Sequence, residues 1–377
     1  MLFGYAFAVL VVTWCTVWAL APHRPRGPRP LAPSFWFSVA VNELPFLAVA
    51  WLVLNTLSAT IDGSFDSPGG YAVTGVAACT CCGLALIARR GWNAEREVRR
   101  ALHDLGIAPP DPARDAAGRP SLLRLALWPF SVRPRGVRRV RDVGYGEHGT
   151  ATRLDLYLPK PQAGPAPVLV FFHGGGFFSG SKSWGAKPLL YRLAASGWVC
   201  ASADYRLAPR ASYADALADA RRAVGWMREH AAELGADPGR VFLAGASAGA
   251  HLASVLALGG RDSTAGAHPA PDVRGVVALY GYYGPMRTPQ GSSSPLDLVG
   301  PQAPPFLVVH GDNDSLIPVG AARDFARRLA AASASPAAYV ELGGAEHSFA
   351  LFDSLRLRAV VDGVQAFLRA VDRDARG

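Results

Sequence analysis

The chain has 377 residues, half of them apolar, and a formal net charge of +9 at neutral pH. That length accommodates one large domain with a smaller companion, and five cysteines set in apolar stretches give no disulfide framework. Residues 1–141 carry 16 Arg against 8 acidic residues, while the remainder holds 22 basic and 21 acidic side chains, so the basic excess sits beside the apolar segments and argues for membrane topology against nucleic-acid binding.

Leu2 to Ala21 is uncharged and long enough to cross a bilayer. No basic residue precedes it and Pro22-His23-Arg24-Pro25-Arg26 follows, the reverse of a cleaved signal peptide, so a retained helix is expected. A second apolar stretch, Phe35 to Ile61, is interrupted by Asn42, Glu43 and Pro45, and a third runs from Gly70 to Ala88. Residues 1–91 are therefore expected to form a three-helix transmembrane region. Glu43 is expected near the interface or facing a neighbouring helix, with a functional intramembrane carboxylate as the other reading. Arg24, Arg26 and Arg29 follow the first span, Asp62 and Asp66 the second, and Arg89, Arg90, Arg96, Arg99 and Arg100 the third. The positive-inside rule then predicts a multi-pass protein of the cell membrane, its chain beyond residue 89 in the cytoplasm. Cys79, Cys81 and Cys82 have no nearby histidine or second cysteine pair, so a metal centre is not expected there.

Residues 92–136 read as a linker, in which Trp92 to Leu105 is expected as a short basic amphipathic helix on the membrane surface. Pro109-Pro110-Asp111-Pro112 ends it, and Leu122 to Phe130 is another apolar patch. From residue 137 the texture changes. Val140 to Glu147 and Thr152 to Leu158 predict a hairpin, and Val168 to Phe172 a strand buried on both faces. Strands at Trp198–Ala203, Val241–Ala244, Val273–Leu279, Phe306–Val309 and Ala338–Leu342 then alternate with helices, including Tyr213–Leu234, Val319–Ala332 and Leu355–Val371. Residues 137–377 are expected to form an α/β domain with a mostly parallel sheet covered by helices.

Within that domain, Val241-Phe242-Leu243-Ala244-Gly245-Ala246-Ser247-Ala248-Gly249 reads as strand, G-x-S-x-G turn and helix start. This is the nucleophile-elbow pattern, which raises a serine hydroxyl above a sheet edge and needs glycine where strand and helix backbones pass closely. His173-Gly174-Gly175-Gly176 follows the Val168–Phe172 strand and lacks the features of a phosphate loop. Its Gly174 and Gly175 N–H groups, with that of Ala248, are the candidate oxyanion hole; His173 is expected to brace the loop. Asp314 follows the Phe306–Val309 strand and His347 the next, giving the order serine, acid, histidine of an α/β-hydrolase. Ser247, Asp314 and His347 are the candidate catalytic residues, with Asp312 the competing acid. Glu346 is expected on the solvent side and His251 as a core hydrogen-bonder. His103, His148, His230 and His268 have no motif around them.

With His173-Gly174-Gly175-Gly176-Phe177, Asp204-Tyr205-Arg206-Leu207-Ala208-Pro209, Gly245-Ala246-Ser247-Ala248-Gly249 and the Asp314 and His347 loops in view, residues 137–371 resemble an α/β-hydrolase of the carboxylesterase group related to hormone-sensitive lipase. Membrane-anchored bacterial carboxylesterases share this layout. The resemblance implies an α/β-hydrolase fold and a serine esterase that needs no metal or organic cofactor. It also implies that Asp204 to Pro209 brace the site without reacting. Two departures bear on acyl-chain preference: Ala246 stands where the lipase branch usually has an acidic residue, and membrane segments replace its soluble N-terminal cap. The expected function is hydrolysis of a small or lipid carboxylic ester at the membrane through an acyl-enzyme. The alternatives are an arylformamidase-like amidase on the same triad and a catalytically inactive binding module.

Overall fold

The computed structural model describes residues 2–22, 33–108, 121, 123–124, 128–162, 164–259, 272–288 and 291–374. The loop bearing Arg24, Arg26 and Arg29, the Pro109–Pro112 break and His268 lie outside the described residues, as does part of the Leu122–Phe130 patch.

Among the described residues, four N-terminal α-helices lead the chain: α1 (Leu2–Leu20), α2 (Pro33–Glu43), α3 (Pro45–Ile61) and α4 (Pro68–His103). α1 and α4 lie side by side in the same direction. Tyr5 bonds Thr74 at 3.1 Å, Thr13 bonds Thr80 at 2.7 Å, and Thr16 faces Gly83, where any side chain would clash. α3 runs the opposite way, since Tyr5 also bonds Thr56 near its end while Phe46 near its start packs on Trp92 late in α4. Small and hydroxylated residues at these contacts suit helices packed within lipid.

α1 and α4 are each long and apolar enough to cross a membrane. The second apolar stretch is not the continuous helix expected over Phe35–Ile61: α2 and α3 meet at a 90° bend. Pro45 has no N–H to continue a helix and forces the residue before it away from helical backbone, and Leu44 accordingly has φ −122° and ψ 44°. A third crossing is present only if the bent pair is counted as one. The 17 residues of α3 extend about 25 Å, slightly short of a hydrocarbon core.

The segment expected as a surface helix at Trp92–Leu105 is instead the second half of α4, continuous with its apolar first half. Its Ala94, Val98 and Leu102, a stripe at helical spacing, are buried in the core of the following domain. The amphipathic face was legible; its partner is protein where lipid was expected.

That domain contains β1 (Arg138–Gly144), β2 (Arg153–Leu158), β3 (Ala166–Phe172), α5 (Lys187–Ala195), β4 (Val199–Ala203), α6 (Tyr213–Glu229), β5 (Ala236–Ala246), α7 (Ala248–Leu258), β6 (Gly275–Leu279), β7 (Phe306–Gly311), α8 (Val319–Ala332), β8 (Ala337–Leu342) and α9 (Leu355–Asp374). A small hairpin joins Met286–Thr288 to Gly291–Ser293. The eight strands are ordered β1-β2-β4-β3-β5-β6-β7-β8. β1 pairs antiparallel with β2 and β2 with β4, and the rest is parallel. Strand residues alternate between two cores. Leu169, Phe171 and Phe242 face α4, α5 and α9, while Val168, Val170 and Leu243 face α6, α7 and α8. Burial on both faces is why these strands read as continuous apolar runs. The last of the N-terminal helices, α4, is thus one of three helices covering one face of the sheet.

Candidate active site

The parallel strands deliver their loops to one edge, the position at which open α/β sheets carry ligands. β5 ends at Ala246 and α7 starts at Ala248, leaving Ser247 alone on the turn with φ 54° and ψ −118°. Such backbone costs on the order of 1–3 kcal/mol in a residue with a side chain. It is held by the Ser247 N–H donating to Leu279 O at 2.9 Å and by close packing of the flanking glycines. A Cβ on Gly245 would lie 2.2 Å from the Gly249 carbonyl carbon, and one on Gly249 would lie 2.0 Å from Phe172 O. Strand and helix can approach this closely only without side chains there.

Ser247, Asp314 and His347 come together. His347 Nε2 is 3.0 Å from Ser247 Oγ, and His347 Nδ1 is 2.7 Å from Asp314 Oδ2. An ionised carboxylate can only accept, so Nδ1 carries the proton and Nε2 is free to accept from the serine hydroxyl. Asp314 Oδ1 takes the N–H groups of Leu316 at 3.0 Å and Ile317 at 2.7 Å, which fixes the carboxylate. Burial acts to raise the Asp314 pKa, but His347 and His310 outweigh it and hold the carboxyl well below the usual range. Asp312, the competing acid, instead accepts the Gly344 N–H at 2.6 Å.

Gly174 and Gly175 lie just past the last ladder pairs of β3, which join Phe172 to Ala203 and to Gly245. A Cβ on Gly174 would stand 3.1 Å from Ser247 Cβ, so this loop borders the serine directly. Ala248 is the first residue of α7, where a helix leaves its N–H groups without intrahelical partners. His173 is buried, its Nδ1 donating to Gly174 O at 2.6 Å and its ring stacked on Tyr205 at 4.4 Å. Burial keeps it below the usual histidine range. Tyr205 OH donates to His173 O, and Asp204 pairs with Lys182 at 3.0 Å, so the Asp204–Pro209 stretch supports the glycine loop from behind. His251 donates to Tyr282 O and accepts from Tyr213 OH inside the core.

Several contacts around the site were not legible in the sequence. His310 Nε2 lies 2.9 Å from Ile317 O and 3.1 Å from Asp314 Oδ2, a second histidine on the acid. Glu346 is buried and not on the solvent side. Its Oε1 accepts the N–H groups of Ser315 at 2.7 Å and His347 at 2.8 Å, tying the acid loop to the histidine loop. Its Oε2 accepts from Ser38 Oγ at 3.2 Å, and burial pushes its pKa up while the two N–H donors oppose this. Ser38 belongs to α2. From the same helix Asn42 Nδ2 donates to Gly344 O at 2.9 Å, and the Phe35 ring meets the His347 ring edge-on at 6.3 Å. Glu43 faces a neighbouring helix, that of the catalytic domain: it is buried, paired with Arg356 of α9, and accepts from Ser354 Oγ at 2.6 Å. Contacts separated by some 300 positions leave no local periodicity to read.

Residues 154–290 match the model of the BD-FAE family. The protein named "Probable carboxylic ester hydrolase LipM", from Mycobacterium tuberculosis, is 34% identical over 335 residues, which cover 78% of this chain and 77% of that one. Esterase LipC of the same organism is 35% identical over 274 residues, 64% of this chain and 68% of its own. Among solved structures, the butyrate-bound thermophilic esterase Est2 of the Planctomycetes species Thermogutta terrifontis superposes with a TM-score of 0.54 at 26% identity, covering 63% of this chain and 95% of that one.

Proposed function

Because the chain belongs to the carboxylic ester hydrolases of α/β-hydrolase fold and is an ester-hydrolysing enzyme, we propose that it works as a membrane-anchored serine esterase with Ser247 as nucleophile. The observation that carries this reading is the unbroken line from Asp314 through His347 to Ser247, at 2.7 and 3.0 Å.

In the proposed mechanism Ser247 Oγ attacks the ester carbonyl carbon while His347 Nε2 takes its proton. The carbonyl oxygen becomes an oxyanion, and the N–H groups of Gly174, Gly175 and Ala248 stabilise it. The proton on His347 then passes to the departing alkoxide, leaving an acyl-serine and an alcohol. Water, deprotonated by the same nitrogen, attacks the acyl carbon; collapse returns the proton to Ser247 and releases the carboxylic acid. Asp314, ionised throughout, holds the imidazole tautomer and stabilises its charged form. No step calls for a metal or organic group.

For topology we propose three crossings, by α1, by α4 and by the bent α2–α3 pair taken as one span, whose α2 part lies against the catalytic domain. The support is the shared direction of α1 and α4 and the opposite direction of α3. With arginines after the first and third apolar segments and only acidic residues after the second, this puts the catalytic domain in the cytoplasm. The test of the enzymatic reading is ester turnover by Ser247→Ala, expected to fall by roughly 10⁴-fold or more, as for loss of a triad member. Turnover within tenfold of wild type would refute it.

A further inference from the structure

We infer that the reacting serine lies at the headgroup level of the membrane, and that its ester substrate keeps a hydrocarbon part in the bilayer while it reacts. The inference rests on the serine-esterase reading above and answers a question that reading leaves open, where the substrate comes from.

The level follows from the helices. α1 and α4 run in register, so the end of α1 and the middle of α4 share a depth. By that register Trp18 of α1 stands level with residue 85 of α4, about 6 Å short of Arg89 and about 10 Å short of Trp92, on which Phe46 at the start of α3 packs, while Trp14 lies deeper. Tryptophan and arginine gathered within about two turns on neighbouring helices mark a membrane–water interface. The histidine loop rests on this belt. Gly344, three residues before His347, sits against Arg90 so closely that a Cβ would fall 2.4 Å from Arg90 Cδ, and Asn42 of α2 holds its carbonyl. His347 is therefore at the interface itself and not raised above it on a stalk.

An apolar route joins the lipid side to the site. Trp14 of α1 meets Phe37 of α2 at 6.1 Å, and on the same helix Phe35 touches Trp36 at 5.1 Å and His347 at 6.3 Å. Around the site, separate loops expose large apolar side chains: Trp36 (62% exposed) on α2, Phe178 (67%) and Trp184 (61%) after the glycine loop, and Leu351 after His347. The Ala186 N–H donates to Ala350 O at 3.3 Å, bringing the latter two loops together. Turned to water, this rim would be an unfavourable patch of the kind soluble monomers rarely carry. Turned to lipid it is continuous with the apolar surfaces of α1 and α2, and it suits an acyl or alkyl chain and not a sugar or peptide. The occupant assigned to it is the bilayer surface, with the tail of the substrate within it.

The experiment uses the full-length chain in phosphatidylcholine vesicles with two esters of one leaving group, p-nitrophenyl palmitate dissolved in the bilayer and p-nitrophenyl acetate dissolved in water. Palmitate turnover should follow its mole fraction in the lipid, falling as phosphatidylcholine is added at fixed palmitate, while acetate turnover does not. Trp36→Gln on α2 should lower the palmitate-to-acetate ratio of kcat/KM about tenfold, and so should Trp184→Gln, which lies outside the helix bundle and leaves its packing intact. A palmitate rate set by bulk concentration, or a ratio unchanged in both variants, would overturn the inference. Acetate turnover without any palmitate turnover would overturn it too. Wild-type enzyme that hydrolyses neither ester would refute the serine-esterase reading itself.

Discussion

Replacing Asp314 by Asn tests the arrangement at its most buried point. The carboxylate uses Oδ1 for the Leu316 and Ile317 N–H groups and Oδ2 for His347 Nδ1. An amide that keeps the two backbone bonds must turn its NH₂ toward His347, where only an acceptor fits. The imidazole then adopts the other tautomer, with its proton on Nε2 facing Ser247, and cannot accept the serine proton. The expected loss is on the order of 10⁴ in kcat, about 5 kcal/mol of transition-state stabilisation. The shape of the site should survive, so KM for a soluble ester should change little. Asp312 binds the Gly344 N–H through Oδ1, which an amide oxygen reproduces, so Asp312→Asn should stay within about tenfold. Steady-state kinetics of both variants on p-nitrophenyl acetate decide the matter. A loss confined to Asp312→Asn would mean the acid is misassigned.

Glu346→Ala removes the acceptor shared by Ser315 and His347 and leaves two buried N–H groups unpaired, at about 1–3 kcal/mol each; kcat should fall by one to two orders of magnitude with KM nearly constant, and Glu346→Gln should recover most of it. Gly245→Ala drives a Cβ into the Gly249 backbone and should cost about 3 kcal/mol or abolish folding, seen as a lowered Tm of the purified protein; an unchanged Tm would contradict the elbow packing. Burial lowers the His251 pKa from 6.5 to about 4. Between those values the unfolded chain binds a proton that the folded chain does not, so stability is lost as pH falls through this window, by about 3 kcal/mol in all at about 1.4 kcal/mol per pH unit. His251→Gln should flatten the dependence of Tm on pH from 6.5 to 4, and an equally steep decline would show that other groups cause it.

The catalytic half of this chain was legible because its chemistry is written in short stretches. The elbow needs Gly245 and Gly249 within four positions of each other, Asp314 follows an apolar strand buried on both faces, and His347 follows a strand with one face buried. The mostly parallel character of the sheet follows from the alternation of strands and helices; the order of its strands does not. What was not legible is what the N-terminal helices do. Pro45 was noted as an interruption, yet nothing local says that α2 turns through 90° to meet the histidine loop. Ala94, Val98 and Leu102 showed a helical stripe, but a stripe of this kind serves lipid or protein equally well. Glu346 read as a solvent-side neighbour because its partners, Ser38 and Ser315, are brought to it only by the tertiary fold; Ser38 lies 308 positions away.

The central claim is that Ser247 forms a covalent acyl intermediate. It is tested most directly by treating the full-length protein with a fluorophosphonate, digesting it, and locating the added mass by tandem mass spectrometry. The account predicts one adduct, on Ser247, absent from Ser247→Ala and strongly slowed in Asp314→Asn. An adduct on any other residue, or labelling that persists in Ser247→Ala, would contradict it.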